Sequence, residues 1–462
     1  MASRRLRSAV VLAAGQGSRI WPYGVVRQKA AFPIGNVPVV RRLVEDLAAL
    51  GIERIVVVVG HGEASVRAAL RPCRLPIEFV RQHQPVGTAD AALLGAKLLQ
   101  EDCLVVAGDV VTARANLAAM IETWGTGEMP ALALVQPLGH EQPQDWLVAA
   151  IGDGLLRGVM GHPREGSYRL TGIYVLSLGV LDYLRDNPGI MHRVPVGGMP
   201  PLEAEIAQSL QMMIDEGKEV GVVEAAGYLV DLDKPWHIME ANGRLIDAKT
   251  QESFEQIIPA SSKIHDGAEI EGRVVLGENC TIGNRVVVRG DLWLADGAQV
   301  LNGAIVDGSA IIGPDTIVRD YCQIGGHTTL GARGIYGHGA EFGGVALDTV
   351  YCYHYCEIWG VAGEAVDFGA ATVCGNLRFD DGKTTWRIMG RAETPTHAAN
   401  AAYFGDFCRT GVNAIIMPGR RMGVYSVVGA GVVAYEDVPD RQMVMLKQEL
   451  VTRPWGPERY GW

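Results

Sequence analysis

Two hydrophobic rhythms divide the chain. Up to about Asp247, short apolar runs alternate with longer amphipathic stretches. Residues 9–12, 104–107 and, in the segment 54–60, the β-branched residues that follow Arg54 are continuous apolar runs, the pattern of strands buried on both faces. Residues 37–50, 64–70 and 88–99 read as helices, and 77–80 adds a further strand. This succession predicts a Rossmann-like, doubly wound α/β domain with its site at the carboxyl ends of the strands.

After Pro259 the rhythm changes. Ile264, Ile270, Leu276, Ile282, Val288, Leu294, Val300, Val306, Ile312, Val318, Ile324 and Leu330 follow one another at intervals of six. Glycine comes directly after several of them, as at Gly277, Gly283, Gly313, Gly325 and Gly331. A strict period of six suits a parallel β-helix with one aliphatic residue per flat side pointing inward. The period breaks over 336–361, resumes at Ala362 and Phe368, breaks over 378–403, and returns from Phe404 to Val428. Both breaks are expected to leave the coil as loops. The expected division is therefore 1–247, a linker 248–262, a coil 263–435 and a tail 436–462. The tail reads as a short helix and a strand near 444–450.

Composition narrows the picture. A chain of 462 residues is too long for one ordinary core, and 48% hydrophobic with 20% charged residues is a soluble globular balance. A net charge of −11 argues against broad binding to nucleic acid or an anionic membrane, though not against a local phosphate site. Arg4, Arg5 and Arg7 precede an apolar run that continues into a glycine turn, so it reads as a first strand rather than a signal peptide. No run reaches the eighteen or so apolar residues of a membrane span. Eight cysteines without a disulfide framework fit a reducing cytoplasm.

The chemistry begins where the first strand ends. Leu12, Ala14, Gly15, Gly17 and Ser18 form a turn of small residues through which backbone N–H groups can approach a polyphosphate, with Arg19 and Lys29 as cations beside it. Ile20 in place of a third glycine excludes the dinucleotide fingerprint, and no Gly-Lys-Ser/Thr follows to make a P-loop. A plain structural turn is the alternative. Asp109, leaving an apolar strand after a glycine, is either a cap or a ligand for Mg²⁺.

The whole string, including Trp21-Pro22 and Lys29 before Phe32-Pro33-Ile34, resembles the signature of sugar-1-phosphate nucleotidylyltransferases. That resemblance implies transfer of a nucleotidyl group from an NTP to a sugar-1-phosphate with loss of pyrophosphate. Arg19 and Lys29 would be catalytic, and Gln82, Gly87 and Thr88 would read the nucleobase. Mg²⁺ would sit on Asp109 and Asp231, with Asp233 as the alternative. In the sugar half, Thr171 and Gly172 match the family's Thr-Gly-Ile-Tyr. Leu147 replaces a pocket glycine, and Gly161-His162-Pro163 lacks the usual acid.

The second half resembles the coil of bifunctional sugar-phosphate nucleotidylyltransferase/acetyltransferases of the archaeal type. It does so at 369–381, at Thr410-Gly411-Val412-Asn413 and at Ile416-Met417-Pro418-Gly419. The resemblance implies a left-handed β-helix, a homotrimer or higher homo-oligomer, and acetyl-CoA as co-substrate. Asn376 would touch the sugar and His354 would act as the general base, its alternative being a packed loop histidine. His338 is a second candidate. Cys352, His354 and Cys356 also offer three metal-type ligands without a fourth. A single-activity enzyme and a non-catalytic sugar-nucleotide-binding scaffold remain the rival readings.

Overall fold

The computed structural model describes residues 4–160, 165–189 and 203–459. The first half is built on a nine-stranded sheet. Across it lie Ile77–Arg81, Arg54–Val59, Ser8–Ala13, Cys103–Ala107, Tyr168–Leu176, Ala131–Pro137, Val220–Glu224, Leu155–Met160 and Val148–Gly152. The first four are parallel, as their continuous apolar runs predict. The remainder is mixed. Asp153 and Gly154, both at positive φ, turn the chain back between two antiparallel edge strands. Helices Val39–Ala49, Arg114–Thr126 and Pro235–Gln251 bury their apolar faces on one side of the sheet, Thr88–Leu99 and Ile206–Asp215 on the other. A two-stranded ladder then joins Val110–Thr112 to Leu229–Asp231 with Asp231 opposite Val110, next to Asp109.

The second half is a parallel β-helix. On one side Lys263–Ile264, Thr281–Ile282, Gln299–Val300 and Ile317–Val318 stack in register, eighteen residues or three hexapeptides per turn. The hexad positions from Leu276 to Leu330 are buried inside it. Burial of one aliphatic residue per side explains why the period is so strict.

The first break in the period is not a loop. Ile335, Tyr351 and Asp367 remain stacked, now sixteen residues apart. Two sides of the coil merge there into single six-residue strands, Glu341–Ala346 and Glu357–Ala362, which pair along their whole length. Skipping a corner costs two residues per turn and hides the hexad. Gly344 and Gly360 permit it: they have φ of 118° and 151°, and a Cβ on Gly360 would lie 1.8 Å from the carbonyl oxygen of Ala402.

The second break does leave the coil. Asp367 pairs with Arg409, and the chain between them contributes further strands and a hairpin, Trp386–Ile388 with Arg391–Glu393. Towards the end, Met443–Val444 stacks on Val427–Val428, so the coil runs on past Glu436. Among its described residues the tail has no α-helix; beyond that strand it forms a 3₁₀ turn at Pro457–Arg459.

The two halves share a core. Val345, Leu347, Val361, Trp386, Ile388, Ala401 and Tyr403 from the coil pack with the apolar residues of the first half. The Trp386 ring stands edge-on to Trp236 at 5.1 Å and to Tyr403 at 5.0 Å. Asn242 on the last helix donates to the carbonyl of His327 at 2.7 Å and accepts from Thr329 Oγ1 at 2.7 Å.

Candidate active site

The glycine turn lies at the carboxyl end of Ser8–Ala13, where the neighbouring strands approach it closely. A Cβ on Gly60 would come within 2.8 Å of the Ala14 carbonyl oxygen, and one on Gly108 within 2.9 Å of that of Leu12. Gly17 has φ 64°, and Gly15 has open space where a Cβ would stand. Gly15, Ser18 and Arg19 form the exposed crest of the turn, backed by buried Ala14.

Around this crest the charged residues of distant segments converge. Lys29 Nζ is in contact with the carboxylate of Asp109. Arg19 reaches Asp233 Oδ1 at 2.9 Å. Asp231 Oδ1 is buried and has no hydrogen-bond partner. Burial, then the neighbouring Asp109, pushes the Asp231 carboxyl well above the usual range, with Lys29 opposing. Asp233 goes the other way: burial raises its pKa, but Arg19, Lys29 and Lys234 together outweigh that and hold it ionised. For Lys29, burial is outweighed by Asp109, Asp231 and Asp233, so the ammonium is firmly charged.

Behind Asp231 opens a cleft of 1310 Å³, lined among others by Trp146, Arg169, Lys234, His237 and Glu393. Arg169 is almost wholly buried, lies over the Trp146 ring at 3.8 Å and pairs with Glu141 at 3.0 Å. His237 accepts from the backbone N–H groups of Asp233 and Lys234, both at 3.3 Å, which fixes the loop that presents Asp233. Burial, assisted by Lys234 and Arg169 against Asp233, pushes its imidazole down to about 3.

Residues 8–243 match the family described as Nucleotidyl transferase. This chain belongs to that family. Relatives of this nucleotidyl transferase align over nearly its full length. The bifunctional protein GlmU of Methanococcus vannielii is 25% identical over 96% of this chain and 99% of its own. The bifunctional sugar-1-phosphate nucleotidylyltransferase/acetyltransferase of Sulfurisphaera tokodaii is 26% identical over 93% and 98%. Among solved structures, a UDP-glucose pyrophosphorylase from Acinetobacter baumannii is 18% identical, covering 53% of this chain and 95% of its own, with a TM-score of 0.45.

The other residues singled out in the sequence fall in three places. Gln82, Gly87 and Thr88 meet at the start of helix Thr88–Leu99, where the Gln82 amide, the Gly87 carbonyl and the Thr88 hydroxyl are engaged. Gln82 Nε2 donates to the Gly87 carbonyl at 3.0 Å and to Asp90 at 2.9 Å. Thr88 Oγ1 donates to Glu205 at 2.6 Å and accepts from the N–H of Ile206 at 2.9 Å. Thr171 points into the sheet and donates to the Leu134 carbonyl at 2.9 Å, so its hydroxyl is turned from the cleft. Gly172 sits in a bulge at φ 77°, where a Cβ would lie 3.0 Å from that of Ala107. Leu147 packs with the core on the side of helix Thr88–Leu99, opposite Trp146. Gly161, His162 and Pro163 lie outside the described residues.

His354 and Asn376 belong to the coil and take no part in this cluster. His354 is exposed at a corner following strand Tyr351–Cys352, within the uninterrupted coil rather than on a loop. Cys352 and Cys356 are buried while His354 faces solvent, so the three do not converge on a metal. Asn376 is exposed just after strand Val373–Cys374. Every cysteine is a free thiol. Among the described residues no helix is long and apolar enough to cross a membrane.

Four residues near the cluster went unnoticed in the sequence: Lys234, His237, Arg169 and Glu393. The first two lie one and four residues beyond Asp233 and could have been marked by that proximity. Glu393, some 160 residues away, carried no local signal.

Proposed function

We propose that the protein transfers a nucleotidyl group from an NTP to a sugar-1-phosphate, forming an NDP-sugar and pyrophosphate. The observation that carries this reading is the meeting of Arg19, Lys29, Asp109 and Asp231 beside the glycine turn. A phosphate oxygen of the sugar attacks the α-phosphorus as the bond to the bridging oxygen breaks, and the electrons leave with pyrophosphate. No covalent enzyme intermediate is needed. The chain positions the two phosphates and neutralises their charge.

The partnerless Asp231 oxygen, buried beside Asp109, suits a hard divalent cation with few protein carboxylates. Asp109 and Asp231 would hold Mg²⁺, which supplies charge neutralisation at the phosphates. Lys29, now on Asp109, would be released towards them. Gln82, Gly87 and Thr88 are assigned to the nucleobase and Gly172 to the sugar; for Thr171 only the backbone can serve. Leu147 in place of glycine points to an altered choice of sugar.

The test is a panel of NTPs and sugar-1-phosphates assayed for pyrophosphate. Asp109→Asn is expected to lower pyrophosphate release at least about 100-fold while nucleotide still binds. If no combination releases pyrophosphate above background, the reading fails.

A second activity, acetyl transfer from acetyl-CoA to a sugar amine, is favoured by the alignment of the bifunctional relatives along the whole coil. His354 is its candidate base and Asn376 a candidate sugar contact, in a trimer formed through the coil. Unchanged acetyl transfer by His354→Ala would remove that histidine from the mechanism. Eight free thiols favour a cytoplasmic setting.

A further inference from the structure

The hairpin expelled from the coil reaches the transferase site. Its Glu393 carboxylate meets Lys234 Nζ at 2.6 Å, Lys234 lies 3.4 Å from Asp233, and Asp233 holds Arg19 at 2.9 Å. Charge alternates along the four residues. Exposure rises only at the far end: the side chains of Glu393, Lys234 and Asp233 are 9%, 5% and 8% exposed and that of Arg19 is 53%. Three members are thus removed from water, where each depends on its neighbours for compensation. The fourth projects to the crest of the glycine turn.

The hairpin is firmly seated. Trp386 and Ile388 are buried in the shared core, and Arg391 donates to the Gln144 carbonyl at 3.0 Å and to Asp145 at 2.5 Å. The coil also fixes the exit of the glycine turn. Trp21 Nε1 donates to Asp440 at 3.1 Å, Tyr23 Oη to the Val361 carbonyl at 2.8 Å, and Arg27 pairs with Asp406 and Glu364.

We infer that Glu393, supplied by the coil, is a positioning residue for the nucleotidyl-transfer site, acting through Lys234 and Asp233 on Arg19. The inference rests on the function proposed above. With the Glu393 carboxylate against it, Lys234 divides its charge between two carboxylates and Asp233 remains available to align Arg19. Without that carboxylate, the full ammonium charge turns to Asp233 and competes with Arg19 for it. The arginine then loses its orientation towards the phosphates. The coil is therefore part of the transferase and more than a device for assembly.

The experiment uses the full chain and inorganic tripolyphosphate with Mg²⁺, a probe that needs neither base nor sugar, titrated by calorimetry. Glu393→Gln keeps the shape and loses the charge, and is expected to weaken binding three- to tenfold. Glu393→Asp retains the charge and should recover most of the loss. Arg391→Ala breaks another contact of the same hairpin without touching the charged chain, and should bind like the unaltered protein. Wild-type affinity in Glu393→Gln, or equal losses in Glu393→Gln and Arg391→Ala, overturns the inference while leaving the proposed function standing. Should Glu393→Gln fail to fold, Glu393→Asp and Lys234→Met decide: wild-type affinity in Lys234→Met overturns the inference. Failure of the unaltered protein to bind the probe overturns the inference, while the proposed function stands or falls with the pyrophosphate assay.

Discussion

The ammonium of Lys29 rests against the carboxylate of Asp109, and Asp231 lies beside the same pair with one oxygen unpartnered. One cation therefore serves two buried acids until substrate arrives. Lys29→Met would leave the acids facing each other without compensation, at a cost of about 3 kcal/mol in urea unfolding. Mg²⁺ should restore more stability to this variant than to the unaltered protein. A variant as stable as the parent in chelator would show that Lys29 is not compensating these carboxylates.

Arg19 is different, being half exposed and held by an ion pair with Asp233. Arg19→Lys should leave stability within about 0.5 kcal/mol. It should lower kcat/KM for pyrophosphate release by at least about tenfold, because an ammonium cannot reproduce the planar fork that grips phosphate oxygens. Equal kinetics for the two proteins would take Arg19 out of the site.

His237 makes stability depend on pH. Its imidazole is pushed from 6.5 down to about 3 by burial, so between these values the unfolded chain binds a proton that the folded chain refuses. Stability from this group is complete above about pH 6.5 and falls by about 1.4 kcal/mol per pH unit as the solution is acidified towards 3. Comparing urea midpoints at pH 7 and 4.5, His237→Gln should lose less on acidification than the parent. Equal losses would mean that the buried ring does not drive acid sensitivity.

In the contracted turns of the coil, the close approach of Gly360 to the carbonyl of Ala402 leaves no room for a methyl group. Gly360→Ala must separate the stacked strands or twist the backbone, and should cost about 3 kcal/mol or more. Thermal unfolding measures it. A loss below about 0.5 kcal/mol would show that the strands can part freely.

Local chemistry decided a large share of this protein. The continuous apolar run before Gly15 specifies a buried strand, and the repeat of six from Ile264 to Leu330 specifies a coil, because each pattern satisfies a short-range packing rule that the chain itself displays. Arg19, Lys29 and Asp109 stood out because each follows or leaves an element whose type was already plain, and Asp231 because its segment resembles the family's. The contracted turns at 336–361 were not legible, since a merged strand keeps its inward residues while losing the spacing that marks them. Nor was the use of Thr88 and Thr171, whose hydroxyls are spent on Glu205 and Leu134. Only the tertiary structure could place Glu393 beside Lys234, for that pairing is made by seating one half of the chain on the other. Burial supplies the remaining reason: the same carboxylate is firmly ionised at Asp233 and reluctant to ionise at Asp231 because of what surrounds it.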